Sequence, residues 1–105
     1  MLDRQNILAS LKRFKQEYGN EGFVIHGLFG SYAVDAARED SDIDILVEAT
    51  PRFVELNGGG FGAIARLEEI RLKLKNEFGV NVDLTDKSGL GQTGQEFIVE
   101  KTLYV

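Results

Sequence analysis

The sequence predicts an α+β fold, a small mixed sheet with helices packed on one face. Two segments repeat their apolar residues at steps of three and four, the helical period, and three short segments are β-branched or alternate apolar with polar residues. They run in the order helix, strand, strand, helix, strand, short helix, which suits a layered domain.

The first helix is expected from Gln5 to Tyr18, where Ile7, Leu8, Leu11, Phe14 and Tyr18 form one apolar stripe and Lys12, Lys15 and Glu17 lie between them. Gly19 and Asn20 close it. The run 23–29 (FVIHGLF) is too short for a helix and is bounded by Gly22 and Gly30, so it reads as a buried strand. Residues 42–48 follow a polar stretch and alternate Asp42 and Asp44 with Ile43 and Ile45, a second strand with two carboxylates on one face. Thr50 and Pro51 are read as its end, and 57–62 (NGGGFG) as a mobile loop. A long helix follows, with Ile64, Leu67, Ile70, Leu74 and Phe78 on its apolar stripe and Gly79 as its stop. Arg66, Arg71, Lys73 and Lys75 are read as its solvated face. Residues 80–85 alternate as a third strand, a short helical piece lies near 95–101, and the chain closes on Leu103, Tyr104 and Val105.

Length and composition limit what such a chain does. Its 105 residues are 43% apolar and 28% charged, enough for one core and far from a disordered composition, so residues 1–105 are expected to form a single domain. Seventeen acidic residues against 12 basic ones leave a net charge of −5, which repels a phosphate backbone and makes nucleic acid a poor first choice of partner. Without cysteine there is no disulfide, thiol nucleophile or thiolate metal site. The N-terminus carries charge in every turn and no stretch approaches the length of a membrane span, so a cytoplasmic protein is expected. His26 sits in an apolar strand and is read as a hydrogen-bonded core residue rather than a ligand.

The segment that carries chemistry runs from Gly30 to Asp44. A glycine at the end of a strand lets the backbone turn sharply and approach a ligand, and Ser31 adds a hydroxyl and an N–H, a corner suited to phosphate. Asp42 and Asp44 project in one direction, and charges that close repel unless a cation lies between them. Magnesium takes oxygen ligands and leaves positions for substrate phosphates. Asp83, on another strand of the same pattern, could complete the set. Three carboxylates beside a phosphate corner suit two-metal transfer of a nucleoside monophosphate.

Gly30-Ser31, ten residues, then Asp42-Ile43-Asp44, with Val82-Asp83-Leu84 later on a strand, resembles the minimal nucleotidyltransferases of the DNA polymerase β superfamily. The resemblance covers most of the chain, from about Ile7 to Tyr104. It implies a palm-like nucleotidyltransferase fold. It also implies Gly30 and Ser31 as nucleotide-binding residues, and Asp42, Asp44 and Asp83 as both catalytic residues and ligands of Mg²⁺, two ions in all, with ATP as substrate. Members of that family are often antitoxins whose partner is a helical HEPN-type ribonuclease toxin, and some transfer AMP to a tyrosine of that partner. The expected activity is transfer of AMP from ATP to a hydroxyl of a partner protein; the alternative is a binder that neutralises its partner by occlusion. Transfer to a small molecule is disfavoured, because a short chain has no second domain to build a substrate pocket. Homo-oligomer and hetero-oligomer both stay open. The sequence departs from its relatives at Tyr32 and Asp35, where a basic residue and a glycine are common. Asp35 is expected to weaken nucleotide binding by repelling the triphosphate.

Overall fold

The computed structural model describes residues 2–105. The first helix, α1, spans Arg4–Gly19, and its N-cap Asp3 accepts the Asn6 N–H at 2.8 Å, satisfying a donor that the first turn leaves open. Strand β1 spans Phe23–Phe29, β2 spans Ile43–Ala49, helix α2 spans Pro51–Leu56, α3 spans Gly60–Phe78, and β3 spans Val82–Asp86. A short 3-10 turn at Lys87–Gly89 leads to α4, Gln92–Lys101, and to β4, Leu103–Tyr104.

The sheet order is β3-β2-β1-β4. β1 pairs antiparallel with both β2 and β4, while β2 and β3 run parallel, so the sheet is mixed as expected. One face is apolar: Phe23, Ile25 and Leu28 of β1, Ile43, Ile45 and Val47 of β2 and Val82 of β3 are all buried. Onto it pack Ile7, Leu11, Phe14 and Tyr18 of α1 and Ala63, Ile70, Leu74 and Phe78 of α3. Burying such side chains contributes roughly 1.5–3 kcal/mol each.

Ile25 and Leu28 both face the core although strict alternation would place them on opposite faces. The register explains it: Ile25 pairs with Val47 and Gly27 with Leu46, so His26 is the extra residue of a β-bulge. His26 lies half-buried with Nε2 at 3.1 Å from Glu48 Oε1, a hydrogen-bonded residue as expected. Gly27 is required where it stands, because a Cβ there would meet the Leu103 carbonyl of β4.

Three details differ from the sequence expectation. Pro51 starts a helix instead of only ending a strand, since its fixed φ suits the first helical position and Thr50 precedes it in extended conformation. Phe53 of that helix is fully buried, its ring tilted against Phe23 with centroids 5.5 Å apart. The expected loop at 57–62 shrinks to Asn57–Gly59, as α3 already begins at Gly60. Ile64 is 65% exposed, whereas Ala63 beside it and Ile70 and Leu74 further along α3 are buried.

The basic face of α3 is also less solvated than its composition suggests. Arg66 is bidentate to Glu21 at 2.9 and 2.8 Å and lies over the Tyr18 ring at 5.6 Å. That hydrogen bond holds the Glu21 carboxyl below its usual range, against the opposing effect of its own burial. The pair joins the β1 approach to α3.

Candidate active site

The two-residue period that sends Ile43, Ile45 and Val47 into the core sends Asp44 to the opposite face. Asp42 lies two residues before it, just ahead of β2, about 7 Å away by strand geometry. Asp83 is the register partner of Asp44 in the parallel β2–β3 pair, so the two backbones are about 4.8 Å apart and both side chains leave the same face. On the other side of β2, Asp44 pairs with Phe29, and the next residue is Gly30. A Cβ on Gly30 would collide with the Asp44 carboxylate, and φ there is +77°, so both the space and the backbone conformation demand glycine. The structure therefore brings Gly30, Asp42, Asp44 and Asp83 to one end of one sheet face.

Ser31 opens a turn after Gly30, closed by Ala33 N–H donating to Gly30 O at 3.0 Å and Ala36 N–H to Ser31 O at 2.8 Å. The approach to Asp42 is fixed by Ser41, whose hydroxyl accepts the Arg38 N–H at 2.7 Å while its own N–H donates to Arg38 O at 3.0 Å. Sequence reasoning gave Ser41 no role of its own. The signal available was a serine closing a short polar turn, where hydroxyl-to-backbone bonds are common.

Burial raises the Asp44 carboxyl above its ordinary range, and the negative charges of Asp83 and Asp42 push it further. All three causes penalise the ionised form, and a hard cation removes the last two. As they stand, the carboxylates do not form a closed cage: among the described residues no group of three or more acidic, His or Cys side chains is gathered at metal-binding distance. Mg²⁺ retains waters and takes substrate phosphates as ligands, so carboxylates beside a triphosphate would suffice to hold it. The donor set is all oxygen and fits.

Arg71 is a second residue that sequence reasoning assigned only to a solvated face. Its guanidinium is bidentate to Glu68 at 2.9 and 2.6 Å and reaches Val82 O at 3.4 Å. It borders a cavity of about 360 Å³ that Asp83 also lines.

Asp35 lies in the turn that Ser31 opens, beside grooves that also carry Asp3 and Arg4 at the start of α1. Its φ is +60°, the one positive value at a non-glycine among the described residues. Asp35→Gly should therefore raise stability by about 0.5–1 kcal/mol through relief of backbone strain, read by chemical denaturation. Nucleotide affinity, titrated in parallel, should rise in the variant, and the gain should shrink at high salt as the repulsion is screened.

With this geometry in view, residues 9–105 match the family model described as the nucleotidyltransferase domain. The chain belongs to the nucleotidyltransferase family. A relative named protein adenylyltransferase MntA, from Thermococcus cleftensis, is 33% identical over 107 residues, covering 100% of this chain and 98% of the relative. A solved structure described as a minimal nucleotidyltransferase superposes with a TM-score of 0.74 at 29% identity, covering 99% of this chain and 97% of that one. A toxin-antitoxin crystal structure with AMP-PNP superposes at 0.63 and 26% identity, covering 98% of this chain and 72% of that one. The chain is a minimal nucleotidyltransferase with the α+β fold of that family. No helix among the described residues is long and apolar enough to cross a membrane.

Proposed function

We propose that this nucleotidyltransferase, a single minimal domain over residues 1–105, transfers AMP from ATP to a hydroxyl of a partner protein. In this reading it works in the cytoplasm as the antitoxin of a pair whose toxin is of the helical HEPN type. The observation that carries the chemical part is the alignment of Asp44 with Asp83 across the parallel strand pair, with Gly30 against Asp44. The name of the Thermococcus relative and the toxin-antitoxin neighbour with AMP-PNP support the choice of AMP and of a protein acceptor.

Asp42, Asp44 and Asp83 would hold Mg²⁺ together with the triphosphate. The metal supplies charge neutralisation for the phosphates and acidity for the acceptor hydroxyl. The backbone turn at Gly30 and Ser31 brings N–H groups and a hydroxyl to the phosphates without a side chain in the way. Asp83, the outermost of the three in the sheet, faces the acceptor and takes its proton. The acceptor oxygen forms a bond to the α-phosphorus, the bond from that phosphorus to the β-phosphate oxygen breaks, and pyrophosphate leaves. Catalysis rests on positioning and on preset charge.

Thermal melting tests the site. Mg²⁺ with ATP at about 100 times Kd should add about 2.7 kcal/mol, raising Tm by about 10 °C or more in a domain of this size. Either component alone should do much less. A folded protein whose Tm ignores both would refute the nucleotide site.

A further inference from the structure

Three observations meet at the outer edge of β3. The first is the backbone. Ile43 N–H donates to Asn81 O at 2.9 Å, and the register pairs Ile43 with Val82 and Ile45 with Leu84. In a parallel ladder this turns the N–H and C=O of Asn81, Asp83 and Thr85 toward β2 and those of Val82 and Leu84 outward. Among the described residues β3 has no strand on that side, so Leu84 offers the N–H and C=O that a further strand would use. The second is the cavity of about 360 Å³ along this edge, where Val47, Ile64, Leu67 and Leu84 form the apolar part of a lining that also holds Glu68, Arg71, Asp83 and Asp86. Its apolar wall extends to Phe61, 93% exposed, through a shallow groove shared by Gly60, Phe61 and Ile64. The third is continuity with the chemistry: Asp83 lines the cavity and belongs to the carboxylate cluster.

We infer that the outer edge of β3 is where the acceptor docks: an extended segment of the acceptor protein adds there as a fifth strand. Its main chain pairs with Leu84, and one of its apolar side chains fills the space between Ile64, Leu67 and Leu84. Side chains alternate across a strand, so the residue beside that anchor emerges on the opposite face, alongside Asp83. A hydroxyl at that position meets the nucleotide. The recognised pattern is thus an acceptor hydroxyl flanked by apolar residues in an extended segment, and the edge fixes register while the cavity selects the flanks. β4 offers no equivalent, being a two-residue strand at the far side of the sheet from Asp44 and Asp83.

The inference rests on the proposed transfer reaction, and its test is separable from it. The probe is a blocked pentapeptide, lysine-leucine-tyrosine-leucine-lysine, titrated into the isotope-labelled full chain with Mg²⁺ and a non-hydrolysable ATP analogue. The amides of Val82 and Leu84 and the methyls of Ile64 and Leu67 should shift, while Tyr104 stays still. A peptide with glutamates for the leucines, or with N-methylated main-chain amides, should bind at least about tenfold more weakly, a difference of about 1.4 kcal/mol. Ile64→Glu changes an exposed side chain, so it should fold, keep the Mg²⁺–ATP melting shift of the parent and lose peptide affinity about tenfold. Shifts mapping elsewhere, no binding at millimolar peptide, or equal affinity for the three peptides would overturn the edge site. If the Mg²⁺–ATP melting shift is present in that case, the transfer reading stands and only the docking surface falls.

Discussion

Asp44→Asn is expected to abolish AMP transfer while making the ligand-free protein more stable. The activity loss should reach at least about a thousandfold, because a bound metal supplies several kcal/mol of charge stabilisation and about 1.4 kcal/mol is a factor of ten. The stability gain comes from the same side chain. Burial first, then Asp83 and Asp42, raise the Asp44 carboxyl above its usual value of 3.8. A carboxyl whose folded pKa lies above its unfolded one binds protons more readily when folded, so its ionisation costs stability. That cost is absent below pH 3.8 and grows as pH rises through the folded pKa. Denaturation across this range should show the parent losing stability relative to Asp44→Asn, the two converging in acid. With Mg²⁺ and ATP the order should reverse at neutral pH, because only the parent gains from the ligands. The variant also separates enzyme from occluding binder. If transfer is the mechanism, Asp44→Asn still co-purifies with the partner but fails to silence it, and the partner gains no mass of AMP. Full protection by the folded variant would establish occlusion.

Gly30→Ala should be strongly destabilising. Two penalties add there, a left-handed backbone at φ +77° and a methyl driven into the Asp44 carboxylate. The first costs about 1–2 kcal/mol and the second about 1–3. Together they should lower Tm by about 10 °C or more, since 1 kcal/mol is worth about 4–8 °C in a domain of this size. Gly58→Ala is the control. Its φ is +80° but nothing lies within 4 Å, so only the backbone cost of about 1–2 kcal/mol remains. Equal losses at the two positions would mean that Asp44 moves aside freely, and the close fit at the site would lose its significance.

Much of this molecule is legible in its sequence because period and punctuation agree with the packing. β1 falls where β-branched and aromatic residues lie between Gly22 and Gly30, and α1 where Ile7, Leu11, Phe14 and Tyr18 recur in helical step. The carboxylates were readable for the same reason, since strand alternation places Asp42 and Asp44 on one face wherever the strand lies. Their alignment with Asp83 was not. It depends on a parallel register between segments about forty residues apart, which no local pattern encodes. Pro51 misled because proline stops a strand and starts a helix equally well, and the three glycines 58–60 hid the first turn of α3. The surroundings of Asp35 were not readable: its charge is visible in sequence, but only the fold shows it beside Asp3 and Arg4. The cavity beside Asp83 needed α3 and β3 placed together, so Arg71 read as one more charged residue on a helix.

The bulge at His26 makes tolerance to changes of chain length very uneven. Upstream of it β1 is in phase through Ile25, downstream through Leu28, and Gly30 reaches Asp44 only in the second phase. Deleting His26 would remove the bulge and leave Ile25 and Leu28 two residues apart on the same face, whereas a residue gained between Gly27 and Gly30 would turn the glycine away from Asp44. The Asn57–Gly59 link lies outside every strand pairing, so residues gained or lost there leave the carboxylates in place. Over evolutionary time, insertions and deletions in chains built this way should collect between α2 and α3, and insertions should be purged from the stretch between Gly27 and Gly30.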